Sequence, residues 1–421
     1  MAAFLRPNPN EERENAMTQT SSRLLRHTRP LPGESLPSWL LRLGQLNSYT
    51  PLTIINGLCL DKLEYDRIDC PLKAVTYQRI ATLTRLDPTE LYTLTSHRLA
   101  PTLTPPTDEP EFLQLPSGET VPALAQSIAA RQLYPLQSVQ FCPVCLKDAA
   151  YHRLDWLPLA AAVCLRHHTL LVQRCPKCSN KLNVLDIIGA TCQECQFRLT
   201  HAPVVSVAGD EFGLFSQAVV QHWLGLAPAP AENHGLPEQP PTALYRTLDG
   251  LRRAVMMVRR EWTYLHPCDL TADFFPCRGK QEFTPAKIYV LYATACKGLI
   301  EWPRGFWEFL DAYKKRDGRT PQGQILPDLG ILHMAWLERK WRHPLFDFVQ
   351  EAFDQYLLDN HNITPSLLHL RRVEDNTAFR ARFTYLTEAD AARLLGTTGG
   401  MVKRLVGMGF LVSYQEAEKD T

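Results

Sequence analysis

FCPVCLKDAAYHRLDWLPLAAAVCLRHHTLLVQRCPKCSN, residues 141–180, holds two Cys-x-x-Cys pairs with a Cys-x-x-His step between them. TCQECQF follows at 191–197 and adds a third pair, so seven of the chain's twelve cysteines fall between 142 and 195. A Cys-x-x-Cys turn presents two thiolates to one metal, and two such half-sites complete the tetrahedron that zinc prefers. Taken in chain order, Cys142, Cys145, Cys164 and His167 make a first site. Cys175, Cys178, Cys192 and Cys195 make a second. The loops between half-sites are 18 and 13 residues long, both usual for structural zinc modules. His168 is the neighbouring alternative to His167, and the spacing favours His167. A redox pair, an iron–sulfur cluster and unliganded thiols are the competing readings. With all four positions protein-filled, each site is expected to be structural, not catalytic. Pro143 and Pro176 each follow the first cysteine of a pair and help to fix the turn.

Outward from this region the chain is ordinary in composition. It has 421 residues, 45% hydrophobic and 21% charged, with a formal net charge of +1. That length suits two to four domains. The charge excludes a polyelectrolyte binder as a whole, so any nucleic-acid contact must come from a local patch. No apolar run is long enough to span a membrane. Residues 1–22 read as a disordered leader without the apolar core of a signal peptide, and Met17 is an alternative start. The expected setting is therefore reducing and cytoplasmic, where clustered cysteines serve as thiolate ligands. Cys59, Cys70, Cys268, Cys277 and Cys296 lack ligand spacing and read as buried thiols, with Cys268 and Cys277 able to meet in space.

The remainder reads as helices. In LPGESLPSWLLRLGQLNSYTPLTIINGLCL (31–60), Ser35 or Ser38 can cap a helix with Leu36, Trp39, Leu40, Leu43 and Leu46 on its apolar face. Thr50 and Pro51 can start a second. Further helices are expected over 76–85 and from Asp87–Pro88 to Thr95, which suggests a helix-turn-helix-like bundle. APTLTPPTDEP (100–110) reads as a linker. Helices follow over 212–224, 242–261, 284–298, 301–316 and 333–358, with APAPAENHGLPEQPP (227–241) as a loop or hinge. In YLTEADAARLLGTTGGMVKRLVGMGFLVSYQ (385–415), Thr387 and Asp390 resemble a capping box. Ala392 and Gly396 take helix-turn-helix spacing, Thr397 can cap a second helix, and 410–412 could form a short strand. Gly399 and Gly400 leave the first turn of that helix little with which to read bases, while Thr398, Lys403 and Arg404 could meet DNA. Arg339, Lys340 and Arg342 form another basic run.

The expected fold is thus mostly α and multidomain. Residues 23–135 would form an N-terminal helical domain, 136–203 a tandem zinc module, 204–384 a helical domain and 385–421 a C-terminal helix-turn-helix and tail. PLPGESLPSWLLRLGQLN, with Glu34, Ser35, Ser38, Trp39 and Arg42, resembles the opening of the TniQ/TnsD family of target-selection proteins in Tn-seven-like transposons. CPVC…CLRHHTLLVQRCPKC…CQEC, with Trp156 between half-sites, resembles that family's zinc region, and EWPRGFWEFL and WLERKWRHPLFDFV its later helices. The resemblance implies a non-catalytic adaptor with two structural zinc ions. Such an adaptor links target DNA, or an RNA-guided CRISPR effector complex, to an AAA+ regulator ATPase and through it to the transposase, in a bacterial, nucleoid-associated setting. Glu34, Trp39 and Arg42 mark the region for ATPase contact, and a homodimer is one assembly open to the chain. The alternative is a stand-alone zinc-containing helix-turn-helix DNA-binding regulator. An enzyme is not expected: no Walker loop, GxSxG or HExxH occurs.

Overall fold

The computed structural model describes residues 24–50, 69–71, 73–106, 108–133, 139–258, 262–267, 283–321, 328–329, 343–360 and 388–411. The expected helix after Thr50, the leader, Cys59, Cys268, Cys277, Thr387, and the basic residues Arg339, Lys340 and Arg342 lie outside them. The fold is mostly α, with two two-stranded antiparallel ribbons as the sheet among the described residues.

Helix α1, Leu36–Leu46, buries Leu36, Trp39, Leu40 and Leu43 at helical spacing. Its N-cap Ser35 is extended but gives no side-chain cap, because the hydroxyl is engaged elsewhere. Helix α2, Ala74–Thr84, stops where Arg85 turns left-handed. Helix α3, Pro88–Thr93, begins as Asp87 accepts from the Thr89 amide, with proline at the first position where no donor is needed. The Leu36 amide donates to Leu94 O and ties α1 to the end of α3.

The stretch expected as a linker starts instead with a buried helical turn, α4, Ala100–Leu103. Its small and apolar side chains fit a crowded place, and Thr102 Oγ1 donates to Trp223 O at 2.7 Å. Beyond it lies a ribbon, β1 Glu111–Gln114 with β2 Thr120–Ala123, in the register Leu113↔Val121. Leu113 and Val121 face the core while Phe112 faces out. Helix α5 is Gln126–Gln132.

The cysteine-rich region contributes α6, Pro143–Asp148, the two-residue strands β3 Val163–Cys164 and β4 Thr169–Leu170, and α7, Val184–Ile188. It does not stand apart. Trp39, Tyr77, Leu91, Val121, Phe141, Trp156, Leu182 and Ile187 belong to a single buried cluster, and α7 packs on α1. The N-terminal helices and the cysteine region therefore share one core.

Helices α8 Glu211–Trp223, α9 Pro241–Met256 and α10 Pro285–Lys297 pack on one another. Asp210 caps α8 by accepting from Gly213 N, and its other oxygen accepts from Tyr289 Oη at 2.7 Å and His266 Nε2 at 2.6 Å. Gly213 is what lets Tyr289 approach: a Cβ there would sit 1.9 Å from the tyrosine oxygen. The loop before α9 is pinned rather than hinge-like, with Glu301 N donating to His234 O and Trp302 N to Gly235 O. Helix α11 is Arg304–Lys314.

A second compact unit comprises 313–315, 319–342 and 347–421. Its described helices are α12 Asp347–Asn360, α13 Glu388–Leu394 and α14 Gly399–Gly407. Gly396, at φ +62°, closes α13: its amide donates to Arg393 O, and the Thr397 amide to Ala392 O. That closure uses Thr397, so the N-cap of α14 moves one residue on, to Thr398, which makes no side-chain cap bond. Residues 410 and 411 form a bend, not a strand.

Candidate metal centres

The first centre is assembled from a helix start and a hairpin. Pro143 opens α6, and the Cys145 amide, one turn in, donates to Cys142 Sγ. The β3–β4 hairpin places Cys164 at its strand end and His167 in its turn. His167 Nδ1 lies 3.5, 3.2 and 3.6 Å from the sulfurs of Cys142, Cys145 and Cys164. Cys145 Sγ and Cys164 Sγ are 3.6 Å apart. In the second centre Cys175 Sγ and Cys195 Sγ are 3.5 Å apart, and Cys178 Sγ and Cys192 Sγ 3.8 Å. Zn–S bonds of about 2.3 Å and Zn–N bonds of about 2.0 Å, arranged tetrahedrally, ask for S···S near 3.8 Å and S···N near 3.5 Å. Both sets fit, and every cysteine in them is free of disulfide.

A shared local device builds three of the four half-sites. His168, Ser179 and Gln196, each immediately after the second ligand, have φ of +51°, +60° and +58°. The left-handed residue turns the chain away and leaves the preceding amides facing sulfur. It also settles the His167 alternative, since His168 points outward and is exposed. On the far side of the His167 ring, Asp148 Oδ2 lies 3.8 Å from Nε2, where a carboxylate favours metal ligation through Nδ1.

The electrostatics ask for a cation. Hydrogen bonds from Cys145 and Cys164 push the Cys142 thiol far below the ordinary range, while the bonds of Cys145 with Cys142 and Cys164 push Cys145 far above it. Burial opposes ionisation of Cys175, yet the Cys178 and Lys177 amides bring it down to about 7. Thiolates packed this closely ionise together only around a cation, which makes metal affinity part of folding free energy.

Two supports fix the first centre. On one side, buried amides reach the strand leading into Cys164: Ala162 N donates to Gln217 Oε1, Gln221 Nε2 to Val163 O, and Gln140 Nε2 to Ala161 O. On the other, the PGES segment docks on the chain between the first two half-sites. Ser35 Oγ is 2.9 Å from His152 Nδ1, the His152 amide donates to Ser38 Oγ at 3.0 Å, and Leu154 N donates to Gly33 O at 2.7 Å. Burial pushes His152 down to about 3, so it stays neutral. Arg153 stacks over Tyr151 and Trp156 and pairs with Asp155, whose carboxyl burial raises.

This docking explains Glu34, Trp39 and Arg42. Glu34 is 1% exposed and accepts from Arg42 Nε at 2.7 Å, Arg42 Nη2 at 2.8 Å, Ser38 Oγ at 2.8 Å and the Leu31 amide at 2.9 Å. Trp39 is 1% exposed, and its Nε1 donates to Thr28 O. Neither Glu34 nor Trp39 presents a surface to a partner; of the three, Arg42 alone keeps part of its side chain in solvent. In α14, Lys403 lies 3.3 Å from Glu388, while Thr398 and Arg404 are exposed. Ser35, His152, Gln217 and Gln221 carry support that was not legible, since each acts on residues far along the chain.

A family model described as TniQ matches residues 25–171, about a third of the chain. The chain carries a TniQ domain. The matched stretch runs from just before the PGES segment through His167, so it spans the whole docked arrangement and the complete first centre. The TniQ domain associates the protein with transposition. The second cysteine centre lies beyond the matched residues but shares the core of the TniQ domain. No curated protein matches the chain. Among the described residues no helix is long and apolar enough to cross a membrane.

Proposed function

We propose that this TniQ-domain protein is a non-catalytic adaptor of DNA transposition. It links a target site, either DNA itself or an RNA-guided CRISPR effector complex, to an AAA+ regulator ATPase. The observation that carries this reading is the TniQ match over residues 25–171. The architecture supports it: the TniQ domain's recognisable segments serve to lock α1 onto a cysteine-stapled body, which suits a rigid bridge. Zinc is the metal we assign to both centres, on ligand type and spacing. With four protein ligands each, they hold the fold and supply no reacting water. ATPase contact then falls to the solvent face around Arg42, with Arg29 and Glu90 paired beside it at the surface.

The test is co-purification of the full chain with an AAA+ transposition ATPase in the presence of nucleotide, beside an Arg29→Glu variant that changes the exposed face and leaves the Glu34–Arg42 pair intact. The adaptor reading expects capture by the wild type and loss in a variant that keeps its metal. Absence of capture, with tight binding to one DNA site, supports instead the stand-alone regulator.

A further inference from the structure

The second cysteine centre gathers cations that nothing in the metal chemistry requires. Arg174 and Lys181 face each other across an antiparallel bridge, Lys177 sits inside the first knuckle, and Arg198 pairs with Thr191 at the base of the second. Arg174, Lys177 and Lys181 thus share the first knuckle, and the sulfur contacts Cys175–Cys195 and Cys178–Cys192, within 3.8 Å, hold against it the second knuckle, which carries Arg198. Lys177, Lys181 and Arg198 are exposed, and among the described residues none of them forms an ion pair. The acids of this stretch offset them poorly. Asp186 is 3% exposed and its oxygens accept from the Asn183 and Gln193 amides, which leaves Glu194 alone at the surface.

Two further features select the partner. The paired knuckles show no exposed large hydrophobic residue between 174 and 201, whereas Phe112, Met408 and Phe410 are exposed elsewhere. A protein interface needs an apolar centre; a cationic surface without one suits phosphate. The exposed tips Ser179, Asn180, Gln193 and Gln196 add side chains of the kind that bond phosphate and sugar oxygens. The pair is also held rigid. Asp186 joins α7 to the second knuckle through the Gln193 amide, and Val139 N donates to Leu182 O at 2.8 Å.

We propose that this surface of the second cysteine centre binds the phosphodiester backbone of nucleic acid and supplies the sequence-independent part of target engagement. The inference rests on the targeting role proposed above and adds to it the surface that does the work. The experiment measures binding of the metal-loaded full chain to a short DNA duplex and to a single-stranded RNA across a salt series. It compares wild type, K177A/K181A/R198A, and the control R26A/R131A/K287A, with metal content measured on each sample. Arg174 is left in place because it bonds the Ser179 carbonyl. The expected result is a log K against log salt slope shallower by about 2 to 3 in the knuckle variant and by less than about 1 in the control, with metal retained; the polymer on which the loss is larger names the target. An unchanged slope in the knuckle variant, or equal losses in both, overturns the inference alone. A wild type that binds neither polymer yet captures the ATPase or an acidic protein also overturns it while leaving the adaptor reading standing. Failure of binding and of capture together overturns both.

Discussion

Replacing Glu34 with alanine separates an architectural residue from a contact residue. The carboxylate is 1% exposed and takes four hydrogen bonds, two of them from Arg42. Its removal leaves the Arg42 side chain, only 20% exposed, without its carboxylate, and takes the acceptor from the Ser38 hydroxyl and the Leu31 amide. Charge-assisted bonds each contribute about 1.5 to 3 kcal/mol, but they share one carboxylate and do not add. The better guide is the loss of one member of a buried pair, about 3 to 5 kcal/mol. The destabilisation should be partly recovered in the double variant Glu34→Ala/Arg42→Met, which removes the stranded cation. The assay is urea unfolding of the metal-loaded chain followed by circular dichroism, with binding to the ATPase measured beside it. A Glu34→Ala protein within about 0.5 kcal/mol of wild type, the range of an ordinary surface change, would refute the reasoning and return Glu34 to a role in partner contact.

Other expectations follow from the same packing. His152 has a folded pKa of about 3 against an ordinary 6.5, so protons favour the unfolded chain as pH falls. Stability from this group is present above about pH 6.5 and falls by about 1.4 kcal/mol per unit below it, down to about pH 3, and a His152→Gln chain should show a flatter acid limb in unfolding titrations. Gly213→Ala, though it favours a helix by about 1 kcal/mol, should destabilise by about 1 to 3 kcal/mol because its Cβ would strike Tyr289, measurable as a lowered Tm. Metal uptake by the chelator-stripped protein should release protons from the cysteine thiols, read as buffer-dependent heats in calorimetry.

Local chemistry was the legible part. Half-site spacing alone assembled both sets of ligands, because a two-residue gap has few ways to fold when both ends must face one point. Periodicity placed α1, α8, α9 and α10, whose apolar faces repeat over several turns. What escaped was long-range or short. Ser35 bonds His152 from 117 residues away, so its hydroxyl read as a helix cap. Gln217 and Gln221 lie in the helix expected over 212–224, where nothing local marks them as inward; they are buried because the strand into Cys164 needs its backbone groups paired. The β1–β2 ribbon is four residues a side and carries a proline, too short for alternation to register. Ala100–Leu103 lay within a proline- and threonine-rich stretch whose composition hid its burial.

The most direct measurement is elemental analysis of the natively purified chain, with Cys164→Ser and Cys178→Ser beside it. Two closed centres in one TniQ-stapled core predict about two zinc per chain, falling to about one in each variant. A wild type with no zinc, or with iron and the visible absorbance of an iron–sulfur cluster, would contradict the account.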